Sequence, residues 1–432
     1  MRTVLVGATG FIGGRLRTAL RARGHRLLLV ARSRPAAMDE AETWLRLDLA
    51  TPPVDPAALD AALQGADALV NAAGIVRESA GRGFADVHDA GPRALFDASR
   101  RAGVRRIVQV SALGADTDAR TAFHLSKRAA DEHLLSLPLA GVVAQPSLVF
   151  GGEGASSRLF LSIATWPVLP LPGGGEQAVQ PIHVDDLVAA LVALVEDRLP
   201  TGRVALVGPR PLTLREYLQA LRRGLGLAPV RVVALPRRFG DLLARLGDRL
   251  PWLPLDSERW SMLQRGNVAP AAETARLLGR PPRPPEDFVP RAAAVGLRTL
   301  AELAWTLPLL RLAVALVWLV TGVVSLGVFP VAQSHELLAR AGVPEALRPL
   351  ALYGAAALDL AFGALSLAPR RPAWLWPAQA ALILGYTLII SVRLPEFWLH
   401  PYGPILKNLP MLAALLLLAR LDRPEVGSDH VV

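Results

Sequence analysis

Gly7, Gly10 and Gly13 stand at three-residue intervals directly after a short apolar run, Thr3 to Val6. That arrangement suits a phosphate. The first glycine permits a tight turn, the second lets backbone approach a pyrophosphate, and Gly13 lets the following helix pack close to its strand. The helix N-terminus then offers N–H groups and the positive end of its dipole to the anion. Thr9, Phe11 and Ile12 complete the turn and are expected to line it. A glycine triplet alone is weak evidence, but one set between a strand and an amphipathic helix points to a dinucleotide site. Arg32 ends the second apolar run, with Arg34 close by. An acid there would hold the ribose 2′-hydroxyl of NAD, whereas arginine suits a 2′-phosphate. Asp39 and Glu40 come too late to substitute. NADP(H) is therefore favoured as cofactor, with NAD(H) as the alternative.

Positioning such a site requires an α/β scaffold. Residues 1–150 alternate apolar strands (TVLVGA, RLLLVA, WLRLDL, ALVNAA, RIVQVSA, GVVAQPS) with helical segments such as FIGGRLRTALRARG and PRALFDASRRAG. Strands alternating with helices imply a doubly wound, Rossmann-like parallel sheet. Residues 151–278 are less regular and rich in Gly and Pro, and read as a small substrate-side lobe of the same unit. Residues 279–305 open with GRPPRPPEDFVP and read as a stiff Pro-rich linker. An all-α transmembrane bundle of four helices is expected over 306–424.

Composition excludes several chemistries. The 432 residues include no cysteine, so disulfides, cysteine metal sites and thiol catalysis are absent. The net charge of +10 is carried almost wholly by arginines spread over every segment, with no aromatic-and-basic stripe; nucleic acid is not an expected partner. No metal-ligand spacing stands out. His183, Asp185 and Asp186 read as the start of a helix, where an Asp caps or charges the first turn. His25, Asp86 and His88 read as ordinary surface or helix residues. The N-terminal apolar run is broken at Gly7 and Gly10 and does not read as a signal peptide.

Several motifs together resemble extended or atypical short-chain dehydrogenases/reductases, above all the subgroup containing the NADPH-binding accessory subunit of respiratory complex I. They are VGATGFIGG, Asp48-Leu49, LVNAAG (69–74), VSALGAD (110–116), the Ser126-Lys127 pair, QPSLVFGGEG (145–154) and PIHVDDL (181–187). The resemblance covers roughly residues 1–290. It implies that Asp48 and Leu49 line an adenine pocket, that Ala72, Ala73 and Gly74 pass the ribose, and that Pro146 and Ser147 border the nicotinamide. The family's chemistry rests on a serine, a tyrosine and a lysine four residues after the tyrosine. Here the serine is Ser111 and the lysine is Lys127, which implies catalytic roles for both and a cofactor contact for Lys127. The tyrosine position holds Phe123, which has no hydroxyl. His124 is turned about 100° away on a helix and does not inherit the role. Ser111 and Lys127 equally fit a purely cofactor- and sheet-edge-bonding role.

RLAVALVWLVTGVVSL (311–326), LYGAAALDLAFGALSL (352–367), LILGYTLII (382–390) and LPEFWLHPYGPILKNLP (394–410) resemble the DoxX-like family of small four-helix membrane domains. Arg291 and Arg298 before the first span, Arg370 and Arg371 between the second and third, and Arg420 and Arg423 after the fourth set the cytoplasmic side. The expectation is a multi-pass protein of the cell (inner) membrane, with the N-terminal domain and both termini cytoplasmic. Asp359 falls mid-span and needs a partner or a polar cavity; Lys407 and Tyr386 are the candidates. Two functional readings follow. The first is a membrane-anchored NADP(H)-binding oxidoreductase acting on a hydrophobic small molecule such as a quinone, isoprenoid or lipid carbonyl. The second is a non-catalytic NADPH sensor or scaffold within a membrane redox complex.

Overall fold

The computed structural model describes residues 1–51, 56–79, 81–196, 200–250, 253 and 255–422. The chain divides into two compact units, Met1–Ala301 and a second beginning at Glu302.

The first unit starts with β1 (Arg2–Val6), α1 (Phe11–Ala22), β2 (Arg26–Ala31), β3 (Glu42–Arg46), α2 (Pro56–Leu63), β4 (Ala68–Asn71), α3 (Gly91–Arg101), β5 (Arg106–Val110), α4 (Ala122–Ser136) and β6 (Ala140–Pro146). It continues with β7 (Val149–Phe150), α5 (Ala155–Ala164), β8 (Leu169–Pro172), β9 (Ala178–Val179), β10 (Ile182–His183), α6 (Val184–Glu196), β11 (Gly202–Leu206), β12 (Leu212–Thr213), α7 (Leu214–Gly224), β13 (Val232–Leu235), α8 (Arg237–Arg249), α9 (Ser257–Arg265) and α10 (Ala272–Leu278). A seven-stranded sheet runs β11-β6-β5-β4-β1-β2-β3, and every neighbouring pair is parallel.

Both faces of this sheet are covered, which is why its strands read as nearly continuous apolar runs. Leu5, Leu27, Leu29, Val108 and Val142 pack on one side with Leu16, Leu20, Leu187 and Leu191. Val4, Val6, Leu28, Ile107 and Val143 pack on the other with Leu59, Leu63, Leu95, Phe96 and Leu134. The strand order reverses between β1 and β4, and the crevice at the carboxyl ends of those strands is where a doubly wound sheet takes its ligand.

All six expected strands are present. β11 was not among them: it lies in the segment read as a lobe, yet joins the main sheet beside β6. Its burial alternates along the strand, and Arg203 is exposed at this sheet edge, so it lacks the apolar run of a central strand. The rest of the lobe is built of three two-stranded pairings, β7 with β10, β9 with β12 and β8 with β13. Phe150, Leu161, Leu169, Tyr217, Leu218 and Leu221 are buried at its core.

The expected linker is not a spacer. Phe288 and Val289 are buried in the lobe core, and the Phe288 ring stacks on Phe150 at 4.9 Å. Buried Asp186 accepts from the Arg283 N–H at 2.6 Å and from the Arg280 side chain. The prolines stiffen a strap that two apolar side chains and one buried carboxylate hold down, so the first compact unit extends to Ala301.

The second unit is helical. Its elements are α11 (Ala294–Val323), which runs across the division, then α12 (Val331–Arg340), α13 (Arg348–Leu367), α14 (Leu375–Arg393) and α15 (Asn408–Leu421). Among the described residues three helical stretches are long and apolar enough to cross a membrane: Arg291–Val328, Glu345–Leu367 and Leu375–Arg393. The expected fourth span is the shorter α15. Its 14 residues reach about 21 Å at 1.5 Å each, against a hydrocarbon core of about 30 Å. Pro404 and the turn through Gly403 precede it, and exposed Lys407 caps it rather than entering it. α15 still completes a bundle, with Leu415 and Leu418 buried against Val314, Trp318, Phe362, Trp376 and Ile383. Arg423 lies outside the described residues.

Polar groups inside this bundle are mostly paired. The Trp318 indole N–H donates to Gln379 Oε1 at 2.7 Å, and Gln379 Nε2 donates to the Ser366 hydroxyl at 3.1 Å. Arg311 and Arg371 both hold the buried Asp422 carboxylate. Asp359 differs. It is buried, and its Oδ1 has no hydrogen-bond partner among the described residues. The expected bonds to Tyr386 and Lys407 do not form; both side chains are exposed.

Candidate cofactor and hydride-transfer site

The turn after β1 is shaped around the absence of side chains. Gly7 has φ +78°, a left-handed conformation, and a Cβ on it would lie 2.7 Å from the Ala73 amide nitrogen. A Cβ on Gly13 would lie 2.1 Å from the Gly7 carbonyl oxygen. α1 begins after Gly10, and no side chain caps it. Its first N–H groups therefore face outward at the end of β1, as anion binding requires. Ala72 and Ala73 follow β4 against this turn, so the cradle sits at the reversal of strand order. Thr9, Phe11 and Ile12 lie on it, and the Phe11 ring also packs against Gly151.

Arg32 and Arg34 are exposed just beyond β2, and neither makes a hydrogen bond or ion pair among the described residues. Two cations are thus open to solvent at the carboxyl end of β2. Asp48 follows β3, takes the Ala50 N–H at 3.1 Å and pairs with Arg82 at 3.1 Å. Leu49 is buried, and its carbonyl oxygen would lie 2.3 Å from a Cβ on Gly91.

At the other end α4 presents Phe123, His124 and Lys127. Thr121 caps this helix by accepting from the His124 N–H, and Glu258 of α9 accepts from Ala122 N–H at 2.7 Å. Lys127 is buried and its Nζ donates to the Val110 carbonyl at 3.2 Å. Gly74 lies beside it: a Cβ there would come 3.3 Å from that ammonium. Burial pushes the Lys127 pKa down to about 8, with Asp131 opposing the shift. Asp131 is fully buried and accepts the Ser111 hydroxyl at 2.5 Å. Burial pushes its carboxyl up to about 6, with the Ser111 bond and the Lys127 charge pulling the other way. The Ser111 hydroxyl thus points to a carboxylate, not into the crevice.

Phe123 occupies the tyrosine position within an aromatic cluster. Its ring meets His88 edge-on at 5.3 Å and Phe84 at 5.7 Å, and the Lys127 ammonium lies 5.8 Å from its centre. His88 was expected to be an ordinary surface or helix residue; it is buried here instead. The Ile75 N–H donates to its Nε2 at 3.0 Å, which leaves Nδ1 to carry the proton toward the Ser126 hydroxyl at 3.2 Å. Ser126 in turn donates to the Phe123 carbonyl at 3.0 Å. Burial, then the nearby Lys127 charge, hold His88 down to about 2, so it stays neutral. His124 is also neutral, lowered to about 4 by burial and then by Arg265. Its Nδ1 meets the Thr121 hydroxyl and its ring lies over Gly114, with the Phe123 ring edge-on to it at 5.4 Å.

Pro146 ends β6 and its carbonyl takes the Leu113 N–H, while the Ser147 hydroxyl donates to the Gln180 carbonyl at 2.6 Å. The Ser147 hydroxyl is therefore committed to backbone and not free. Sequence reasoning missed Glu258 and Arg265. Arg265 grips Asp116 at 2.6 Å and the Gly114 carbonyl at 2.7 Å, holding the loop after β5. Their partners lie more than 130 residues away in the chain, so no local pattern marks them. His183, Asp185 and Asp186 do not gather as metal ligands, and no cluster of three or more candidate ligands occurs among the described residues.

A model of the NAD-dependent epimerase/dehydratase family matches residues 3–208. A ceramide reductase of Caulobacter vibrioides is 32% identical over 239 residues, covering 54% of this chain and 73% of the relative. The chain belongs to the NAD-dependent epimerase/dehydratase family. A complex I subunit of Arabidopsis thaliana (NADH dehydrogenase [ubiquinone] 1 alpha subcomplex subunit 9, mitochondrial) is 28% identical over 246 residues, 55% of this chain and 61% of that subunit. The fold matches that of MoeE5, solved with UDP-glucuronic acid and NAD, with TM-score 0.51 and 19% identity over 68% of this chain and 99% of that one. Residues 315–416 match the DoxX-like family. With three apolar helices in the same region, that match indicates membrane association. Membership points to a nicotinamide cofactor, and the side-chain-free cradle at Gly7 and Gly13 fits one.

Proposed function

We propose that this chain is a membrane-anchored, NADP(H)-dependent reductase of the atypical short-chain type whose substrate is soluble in the bilayer: a quinone, an isoprenoid or a lipid carbonyl. One observation carries the reading. A glycine turn closed to side chains and an exposed, unpaired arginine after β2 share their chain with a unit of long apolar helices. Relatives described as a ceramide reductase and a complex I subunit support an apolar or redox setting. Gly7, Thr9, Gly10, Phe11, Ile12 and Gly13 hold the pyrophosphate. Arg32 takes the 2′-phosphate, Asp48 and Leu49 border the adenine, and Ala72, Ala73, Gly74, Pro146 and Ser147 border the ribose and nicotinamide.

A bound nicotinamide supplies or accepts a hydride. The rest of the chemistry falls to this chain's side chains. Lys127 stays protonated below about 8 and offers its ammonium to the ribose edge. Ser111 does not donate to a carbonyl substrate, because its proton goes to Asp131. Phe123 contributes an apolar wall with Phe84 and His88. Arginines before the first span, between the second and third and near the chain's end support a cytoplasmic placement of the cofactor-binding unit in a cell membrane.

The test is NADPH consumption by the purified chain in lipid nanodiscs, screened against quinones and long-chain carbonyl lipids. Acceptor-dependent oxidation of NADPH is expected; oxidation only with water-soluble aldehydes would refute the membrane-substrate assignment. The missing hydroxyl at Phe123 favours a second reading, a sensor or scaffold that binds NADPH without turnover. Tight binding with no oxidation by any acceptor selects it.

A further inference from the structure

α8 of the first unit is packed inside out. The face it turns to α9 is made of small residues. A Cβ on Gly240 would lie 2.3 Å from the Trp260 ring, and one on Gly247 would lie 1.8 Å from the Leu255 carbonyl oxygen. Ala244 is buried between them. Three of its large apolar residues point the other way: Phe239, Leu242 and Leu246 are 40%, 53% and 39% exposed, Leu243 is half-buried, and Leu250, just past the helix end, is 37% exposed. At 100° per residue Phe239, Leu242 and Leu246 fall within a sector about 60° wide. Arg238, Arg245 and Arg249 lie along one edge of that sector, exposed, with no hydrogen bond or ion pair among the described residues. The helix's two acids do not neutralise them. Asp241 accepts from the Trp260 indole at 2.7 Å, and Asp248 accepts from the Ser257 N–H at 2.9 Å and from its hydroxyl. Both carboxylates are thus turned toward α9.

A helix with an apolar stripe, an arginine edge and its acids turned away has the pattern of an interfacial helix, which lies in the headgroup layer of an anionic bilayer. We propose that α8 docks on the anionic membrane surface through Phe239, Leu242, Leu246 and Leu250, with its arginines on lipid phosphates. Two features select lipid over a protein partner. The unpaired cations complement an anionic surface, and the same chain carries helices long and apolar enough to cross a bilayer. The placement bears on the site as well. α9, on which α8 rests, caps α4 through Glu258 and holds the loop after β5 through Arg265. Membrane contact at α8 is therefore one helix away from Phe123 and Lys127. This inference goes beyond the proposed activity and stands whether or not the chain turns over.

The absence of native cysteine allows a clean test. Single Leu242→Cys, Leu246→Cys and, as a water-facing control, Glu40→Cys variants of the full chain are labelled with an environment-sensitive fluorophore and reconstituted in vesicles. The labels at 242 and 246 are expected to be quenched by brominated acyl chains and protected from aqueous iodide, and the label at 40 the reverse. Lipid quenching at 242 is expected to fall at least threefold in purely zwitterionic vesicles. Iodide quenching at 242 and 246 equal to that at 40 overturns the proposal. So does protection from both quenchers, which would mean a protein surface covers the stripe. Equal lipid quenching in the two vesicle types overturns the anionic assignment.

Discussion

The two ends of the cofactor crevice are built from different materials. At the phosphate end the work is done by backbone: a left-handed Gly7, an uncapped helix start and a Gly13 that a single added carbon would push 2.1 Å from a carbonyl oxygen. At the hydride end it is done by side chains, and there the equipment is altered: Lys127 is present, Ser111 is bonded to Asp131, and Phe123 has no proton to give. The difference teaches that cofactor binding and proton transfer are separable in this fold. A backbone cradle is kept or lost as a whole, because its shape is also the packing of α1 on β1. A phenol can be replaced by a phenyl ring at little cost to packing, because the ring still fills its place against His88 and Phe84.

The harshest way to break the comparison is Gly13→Val. The added atoms must displace the turn, so NADPH affinity is expected to fall by a hundredfold or more, with a lowered melting temperature; titration by cofactor fluorescence and a thermal melt read both. Near-native affinity would mean that the cradle does not bind the pyrophosphate. Next in size is Arg32→Glu. A charge-assisted bond to phosphate contributes about 1.5–3 kcal/mol, so NADPH binding is expected to weaken by about tenfold or more while NADH binding changes little. Equal loss for both cofactors would remove Arg32 from the 2′-phosphate. The smallest effect concerns pH. The Lys127 pKa is depressed to about 8, so its charge is present below that value and lost as pH rises through it. NADPH affinity is expected to decline several-fold across that rise, and Lys127→Arg is expected to flatten the decline. A profile that does not change on that substitution would show that another group titrates.

The same contrast explains what could be read in advance. The glycine turn and six strands were legible because local periodicity and sterics determine them. Phe123 and Lys127 were legible through the family resemblance, whose tyrosine and lysine stand four residues apart, one helical turn. Other features depend on partners distant in the chain. His88 looked like an ordinary helix residue, and its burial against Phe84 and Phe123 comes from the way α4 closes over it. The strap at 279–290 reads as a proline-rich linker by composition, but Phe288 and Val289 anchor it in the lobe. α15 is shorter than the other spans because its helix starts only at Asn408, after the turn through Gly403 and Pro404, and hydropathy alone does not register that start. The inside-out packing of α8 was likewise invisible: its apolar periodicity marks a helix but not which face the fold buries.

The account centres on a site that keeps a glycine cradle and holds a phenylalanine where the family resemblance expects a phenol. The direct test compares NADPH affinity and turnover for the parent chain and Phe123→Tyr in the same lipid nanodiscs. The substitution adds one hydroxyl beside Lys127, at a ring that is half-buried. The predicted result is an affinity unchanged within about twofold and a turnover with carbonyl acceptors raised by about tenfold or more, as restoring a general acid allows. A collapse of NADPH binding, or unchanged affinity with no gain on any carbonyl, would contradict the assignment of Phe123 to the tyrosine position.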